Sequence, residues 1–332
     1  MGGSPEAPAP FSPPEVMTDI RHSVRSTPRG AWFDPVFQFA CLAAATMLLA
    51  ALAGVVICLA IGGWPALHKF GLAFLVTTTW NPVTEVYGAA GPIAGTLITS
   101  ALALAISLPI ALGVAVFLTE FCPKILAQPI AIAVELLAGI PSIVYGMWGL
   151  FVLAPFFALH VQIPLMMTLP EDSLWAKVLA GVPNGANIFT ASLILAIMIL
   201  PYMAAVFREL LLTVPTQVRE AAYGIGCTPC EVVTSVCLPY VRTGAFGVVM
   251  LGLGRALGET MAVTFIIGNA HGLPHSLFDS GSTLASTIAN EFTEATGEMH
   301  TAALTALGLV LFVITFSVLA LARALLGAQR QA

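Results

Sequence analysis

Residues 219–239 read REAAYGIGCTPCEVVTSVCLP and separate two long apolar runs, at about residues 188–212 and 244–268. Each run is long enough to cross about 30 Å of hydrocarbon as a helix that rises about 1.5 Å per residue. A polar connection between two membrane-spanning helices has to lie at the membrane surface, where water or another protein satisfies its polar groups. The stretch therefore predicts helices that cross a membrane, with a polar insert exposed at one face.

The insert carries the sequence signals of two short helices. Thr216 is predicted to cap the first helix, which the conformational freedom of Gly224 and Gly226 ends. Thr228 stands directly before a proline and three residues before Glu231, which predicts a capping box and the start of a second helix. These signals alone do not distinguish a docking surface from an ordinary loop.

The first predicted helix has side chains that suit contact with another protein. Ala221 and Ala222 are small enough for the helix to sit deep in a groove of a partner. Arg219 and Glu220 are expected to place charges at the edge of that contact.

The composition classes the chain as an integral membrane protein. Of its 332 residues, 58% are hydrophobic and only 9% are charged, whereas about a quarter of a soluble domain is charged. We therefore predict an all-α membrane protein with six spanning helices, at about residues 37–62, 93–119, 128–155, 188–212, 244–268 and 303–325.

The distribution of basic residues predicts the orientation of the chain. Only Lys69 and Lys177 fall on the side opposite the insert, whereas the same side as the insert receives Arg21, Arg25, Arg29, Lys124, Arg208, Arg219, Arg242, Arg323 and Arg330. Because basic loops remain in the cytoplasm, both termini and the insert are expected there. The predicted organisation is a disordered or interfacial cytoplasmic tail (1–36), a transmembrane domain (37–325) containing the cytoplasmic loop 213–240, and a cytoplasmic C-terminus (326–332).

Ionisable residues inside the predicted spans mark a candidate functional site, because charges are costly within a membrane. Arg255 and Glu259 stand four residues apart in the fifth run and are expected to pair on one helix face. Glu135 lies in the third run, just before the helix-breaking sequence GIPS at 139–142. A purely structural ion pair is the alternative to a polar path lined by kinked helices, and the kinks are expected at Pro109, Pro141 and Pro201.

The sequence offers little support for catalysis, a cofactor or a metal site. No Lys follows a Gly, so the chain lacks a Walker A phosphate-binding loop. Cys227 and Cys230 form a single C-x-x-C pair without a second pair, and His271 and His275 lack a third matched ligand. We therefore expect no enzyme activity, cofactor or metal in this chain, and we predict a transporter driven by a separate component.

The insert resembles the EAA loop of the membrane subunits of binding-protein-dependent ABC importers. The letters EAA at 220–222, Gly226 and the sequence VCLP at 236–239 match the spacing of that loop, with valine at 236 where isoleucine is usual. LGRALGETMAV in the fifth run, and the sequences around 95–121 and 136–153, are further similar to the phosphate-importer permeases of this family. The resemblance covers about residues 62–325.

The resemblance implies a type I ABC importer permease fold in a bacterial inner membrane. The implied partners are a PstA-like permease subunit that completes a heterodimer, two PstB-like ATPase subunits and a PstS-like phosphate-binding protein. Phosphate is the implied substrate, membrane lipid surrounds the chain, and no nucleic acid is expected.

Two sets of candidate site residues follow, one from the resemblance to the EAA loop and one from the polar residues inside the predicted spans. Contact with the ATPase is expected at Glu220, Ala221, Ala222, Gly226, Leu238 and Pro239. The substrate pathway is expected at Arg255, Glu259, Glu135, Thr260 and Ser142. The Arg255 guanidinium would bind phosphate through its planar fork of donors, and would pair with Glu259 or Glu135 when phosphate is absent.

Two other functions remain open from the sequence. An ABC importer of another oxyanion, such as molybdate or sulfate, would share the EAA loop. A secondary transporter driven by an ion gradient would use Glu135, Glu259 and Arg255 as a proton relay. Uptake that requires ATP and an associated ATPase separates the importers from the relay.

Overall fold

The structure is a computed structural model that describes residues 33–170 and 173–329. Predictions for the tail at residues 1–32, for residues 171–172 and for residues 330–332 concern positions outside this description. The described chain is almost entirely helical, and it contains two isolated β-bridges but no β-strand. This architecture confirms the predicted all-α class.

Long spanning helices alternate with short connecting ones along the described chain. In chain order the helices are α1 (Asp34–Phe70), α2 (Ala73–Val76), α3 (Ala90–Phe121), α4 (Lys124–Ala138), α5 (Ser142–Thr168), α6 (Leu174–Val178), α7 (Ile188–Leu212), α8 (Thr216–Gly224), α9 (Pro229–Leu257), α10 (Met261–Ile266), α11 (Leu284–Glu291) and α12 (Glu298–Gln329). Wider π-helical turns occur within α3, α5 and α9, at Phe117–Phe121, Gly149–Leu153, Ala158–Gln162 and Val233–Cys237.

Six helices of the described chain, α1, α3, α5, α7, α9 and α12, are long and apolar enough to cross a membrane. Their number confirms the prediction of six spans. The chain divides into two units between Val55 and Val56. The first unit contains the N-terminal part of α1, and the second contains the rest of α1 and all the later helices.

The third span differs from the predicted one. The apolar run at 128–155 is divided at Pro141, so α4 ends at Ala138 and the span is Ser142–Thr168. Proline fixes φ and has no N–H, and it therefore begins a helix more readily than it continues one. α4 has 15 residues, fewer than the about 20 that a spanning helix needs. Glu135 consequently lies on α4, outside the candidate spans.

The fifth span also has different bounds from the predicted run at 244–268. α9 begins at Pro229, so the second helix of the insert continues directly into the span. It ends at Leu257, where Gly258, Glu259 and Thr260 separate it from the short α10. The apolar pattern continues across this break, and for that reason the sequence predicts one uninterrupted helix.

The most buried spanning helix of the second unit is α7. In its most apolar window 67% of the residues are buried, against 28% or less in the other five spans. The packing face of α3 consists of small and hydroxyl-bearing residues, and Ser107 Oγ lies 3.7 Å from Met203 Sδ of α7. Small residues let helix backbones approach closely in a membrane, where apolar burial alone drives little association.

Gly95 of α3 lies against the backbone just before α11. A Cβ at Gly95 would overlap the carbonyl oxygen of Ser282, whereas a Cβ at Gly113 of the same helix meets no atom within 4 Å. We expect Gly95→Ala to lower the free energy of unfolding by about 1–3 kcal/mol, the usual cost of overpacking. Gly113→Ala should leave stability unchanged or raise it, because alanine favours helices. Thermal unfolding in detergent measures both, and equal effects would contradict this packing.

Candidate functional site

The first half of the polar insert is α8. No side chain caps it: Thr216 is its first residue and follows Pro215, so the predicted Thr216 cap is wrong. Pro215 takes the extended conformation of the residue before a helix, which leaves Thr216 inside the first turn. At the other end Gly226 has a φ of +92°, and its N–H donates to the Tyr223 carbonyl oxygen at 3.0 Å. A glycine with positive φ therefore ends the first half, as predicted.

The second half of the insert begins with the predicted capping box. The Thr228 N–H donates to Glu231 Oε2 at 2.7 Å, and the Glu231 N–H donates to Thr228 Oγ1 at 3.4 Å. Pro229 occupies the first helical position, where its missing N–H is harmless. These caps fix the point at which the chain turns from the insert into α9.

The predicted ATPase-contact residues are only partly exposed. Glu220 and Ala221 are exposed, but Ala222 is 6% exposed and packs into the core. Ile225, which the sequence did not single out, is 84% exposed, and a large aliphatic residue between two turn glycines is the signal that could have identified it. Of the other predicted contacts, Gly226 and Pro239 are exposed and Leu238 is half-buried.

Arg219 points inward, although the sequence predicts it at the exposed edge. Its Nη1 lies 3.0 Å from Glu120 Oε1, and the two side chains are 16% and 6% exposed. Glu120 directly follows the second apolar run, where a charge resembles an ordinary surface residue, and it was not predicted from the sequence. The ion pair connects α8 to the end of α3.

Arg255 lies near the end of α9 and is exposed on this chain. Its guanidinium carbon lies 5.7 Å from the centre of the Tyr202 ring of α7, a cation–π arrangement. Within the described chain no carboxylate lies within ion-pair distance of Arg255. The contact of Arg255 with Tyr202 was not predicted from the sequence, although an aromatic residue directly after a mid-span proline was a usable signal.

The predicted pairing of Arg255 with Glu259 is wrong. The α-helical spacing of four residues does not apply, because α9 ends at Leu257. Glu259 Oε1 instead accepts a hydrogen bond from the Ala262 N–H at 3.2 Å, in the first turn of α10. A carboxylate at that place is favourable, because the N-terminal N–H groups of a helix lack partners within the helix.

Glu135 does not join Arg255 either. Its carboxylate lies 4.0 Å from Arg208 Nη1 of α7, and its side chain is 52% exposed. Arg208 makes a closer ion pair with its neighbour Glu209, at 2.6 Å. The three charged residues predicted to lie together are therefore separated: Arg255 and Glu259 lie around the end of α9, and Glu135 lies beside Arg208.

Ser142 and Thr260 belong to neighbouring segments. Ser142 is the first residue of α5, and in the next turn a Cβ on Gly146 would lie 3.0 Å from the Ala262 Cα of α10. Thr260 lies directly before α10, and its backbone oxygen accepts from the Thr264 hydroxyl at 2.7 Å. The first turns of α5 and the break before α10 thus lie together, with half-buried hydroxyl groups on each.

A separate polar cluster surrounds Glu291 at the predicted outer face. Its carboxylate oxygens lie 3.0 Å from His271 Nε2 and 2.8 Å from His300 Nε2, and it accepts from the Trp80 indole N–H at 2.8 Å. Burial raises the pKa of Glu291, but hydrogen bonds from His271, Trp80 and His300 outweigh it and the pKa lies below its ordinary value. His275 lies apart from the cluster. Its backbone N–H donates to Asp279 Oδ2 at 3.0 Å.

The lowered pKa of Glu291 predicts a pH-dependent contribution to stability. Its stabilisation is complete above the ordinary glutamate range and is lost as the pH falls through the lowered pKa of the folded state. We expect Glu291→Gln to lower the melting temperature at pH 7, and the difference from wild type to shrink as the pH falls below the ordinary glutamate range and through the lowered pKa of the folded state. Glu294→Gln, an exposed change at the cavity that Trp80, His271, Glu291 and His300 line, should have little effect. A Glu291→Gln difference that does not vary with pH would contradict this account.

A comparison with protein families decides the class of this molecule. The family of binding-protein-dependent transport system inner membrane components matches residues 107–330, more than half of the chain. The chain belongs to this family. As an inner membrane component with six candidate spans, it is a multi-pass protein of the inner membrane.

Curated relatives match this inner membrane component over most of its length. The phosphate transport system permease protein PstC of Mesorhizobium japonicum is 53% identical, covering 94% of this chain and 96% of the relative. PstC of Haemophilus influenzae is 50% identical over 90% and 95% of the two chains, and PstC of Pasteurella multocida is 51% identical over 83% and 86%. These relatives confirm the resemblance to phosphate-importer permeases.

Proposed function

We propose that this chain is the permease subunit of an ATP-driven importer of inorganic phosphate. The observation that carries the proposal is its 53% identity, over 94% of the chain, to a phosphate transport system permease. In this role the chain forms half of the translocation pathway, and separate subunits hydrolyse ATP. The absence of a Gly-Lys dipeptide agrees with that division of labour.

The proposed complex contains a PstA-like permease, two PstB-like ATPases and a PstS-like phosphate-binding protein. In this assembly the transmembrane domain at 37–325 presents the loop 213–240 to an ATPase, with the tail 1–36 and residues 326–332 also in the cytoplasm. The exposed Glu220, Ala221 and Ile225 form the proposed contact. Ala222 supports it from beneath by packing α8 on the core.

Arg255 is the proposed phosphate contact in the pathway. It is exposed on this chain, and Tyr202 holds the guanidinium from one side while leaving its donors unpaired within the described residues. A guanidinium can donate two parallel hydrogen bonds to an oxyanion. Ser142 and Thr260 are assigned to the same proposed path: the Ser142 hydroxyl offers a further donor, and the Thr260 hydroxyl donates to the Gly258 carbonyl oxygen at 3.4 Å. Glu259 holds the start of α10 in place.

Glu135 has a different place in the proposed pathway from the one the sequence suggested. Its ion pair with Arg208 puts it near the end of α7 that is predicted to be cytoplasmic. We therefore assign it to the cytoplasmic end of the path, away from Arg255.

Purification of the tagged chain from its native membrane tests the assembly, and competition tests the substrate. We expect an ATPase and a second permease to co-purify. Phosphate uptake by the complex should resist excess sulfate or molybdate and be blocked by excess unlabelled phosphate. Strong competition by sulfate or molybdate would instead identify an importer of another oxyanion.

A further inference from the structure

One short helix, α8, contacts three spanning helices. Arg219 Nη1 lies 3.0 Å from Glu120 Oε1 at the end of α3, and Nη2 donates to the Leu211 carbonyl oxygen at the end of α7. Ala222 of α8 is buried in the same apolar cluster as Cys237 in the first part of α9. The ends of α3 and α7 therefore meet at a single guanidinium, and α9 packs with the same short helix.

Stability alone does not account for this ion pair. Glu120 Oε1 and Arg219 Nε are buried, and neither makes a well-aligned hydrogen bond within the described chain, although Glu120 Oε1 lies 3.0 Å from Arg219 Nη1. Taking two charges out of water costs several kcal/mol per ion, and apolar residues of similar volume often give equal stability. An ion pair differs from apolar packing because it resists separation strongly where the surroundings exclude water. Arg219 and Glu120 are therefore suited to keep two segments moving together.

We propose that Arg219 and Glu120 are positioning residues that carry movement of α8 into α3, α7 and α9. The inference rests on the proposed function, since it requires an ATPase that moves α8. The ends of α3 and α7 belong to the pair of helices with the most extensive mutual packing in the described chain, and α9 carries Arg255 near its far end. Displacement of α8 would thus reach both the core and the helix of the proposed phosphate contact.

The test measures phosphate imported per ATP hydrolysed by the complete complex in proteoliposomes. The double variant R219M/E120M removes both charges and leaves neither one buried alone. We expect it to assemble and hydrolyse ATP, and the ratio to fall at least about 5-fold, the lower end of typical coupling between sites. E120Q, which keeps the shape of the side chain, should change the ratio in the same direction.

The matched control is K69M/E85M, which removes an ion pair of 3.6 Å between two exposed side chains and should leave the ratio unchanged. A merely structural role would lower assembly, hydrolysis and uptake together, and an unchanged ratio in R219M/E120M or E120Q would overturn the proposal. Failure of the wild-type complex to import phosphate with ATP would refute the proposed function instead. The two failures are therefore distinguishable.

Discussion

Phosphate uptake by the assembled complex should fall about 30-fold or more when Arg255 is replaced by glutamine. Loss of one partner in a buried, hydrogen-bonded charge pair costs about 2–5 kcal/mol, and the transported oxyanion is the proposed partner of this guanidinium. Initial rates of phosphate uptake in proteoliposomes give the effect. Assembly of the complex and the affinity of the binding protein for phosphate should not change, because Arg255 contacts neither the polar insert nor the free binding protein.

Two further variants make the Arg255 test specific. Arg255→Lys keeps the charge but loses the planar fork, so we expect a smaller defect than with glutamine. Lys177→Gln removes an exposed cation outside the predicted spans and should leave uptake unchanged. Near-normal uptake by Arg255→Gln would exclude the proposed phosphate contact.

A bulky residue at Gly226 should separate ATP hydrolysis from transport. Gly226 has a φ of +92°, which a β-branched side chain disfavours, and a Cβ there meets no atom within 4 Å. The effect of Gly226→Val is therefore conformational: a strained residue of this kind costs about 1–3 kcal/mol. Relief of the strain would reorient α8, so phosphate imported per ATP should fall about 10-fold, as a change of about 1.4 kcal/mol implies.

Gly224→Ala is the matched control for Gly226. A Cβ at Gly224 also meets no atom within 4 Å, but this residue ends α8 without a positive φ. Its substitution should preserve the ratio of import to hydrolysis. Equal effects at both glycines, or normal coupling in Gly226→Val, would contradict the role of the backbone turn in presenting α8.

The number of spans could be predicted from the sequence, but the bounds of the third and fifth spans could not. Apolar composition shows which segments tolerate lipid, and it does not show where a backbone turns inside an apolar run. Pro141 divides one such run into α4 and α5, and Gly258 begins the break between α9 and α10. The capping box was more predictable than the Thr216 cap, because the Thr228 and Glu231 hydrogen bonds depend only on neighbouring residues.

The sequence identifies candidate residues of the proposed site one by one, but not their arrangement. Arg255 was identifiable because a charge inside an apolar run is costly, yet its contact with Tyr202 depends on how α7 and α9 pack. The pairing assumed for Glu259 failed because a helix break changes which residues are neighbours. The Arg219–Glu120 pair joins positions far apart in sequence, and only the folded chain brings them together.

Uptake of labelled phosphate into proteoliposomes tests the central claim most directly. The complete complex is compared under two driving forces, ATP and a pH gradient, with this chain alone as a further sample. The importer account predicts uptake that requires ATP, the ATPase and the binding protein, and no uptake by the chain alone. Phosphate uptake by this chain alone, driven by a pH gradient without ATP, would contradict it.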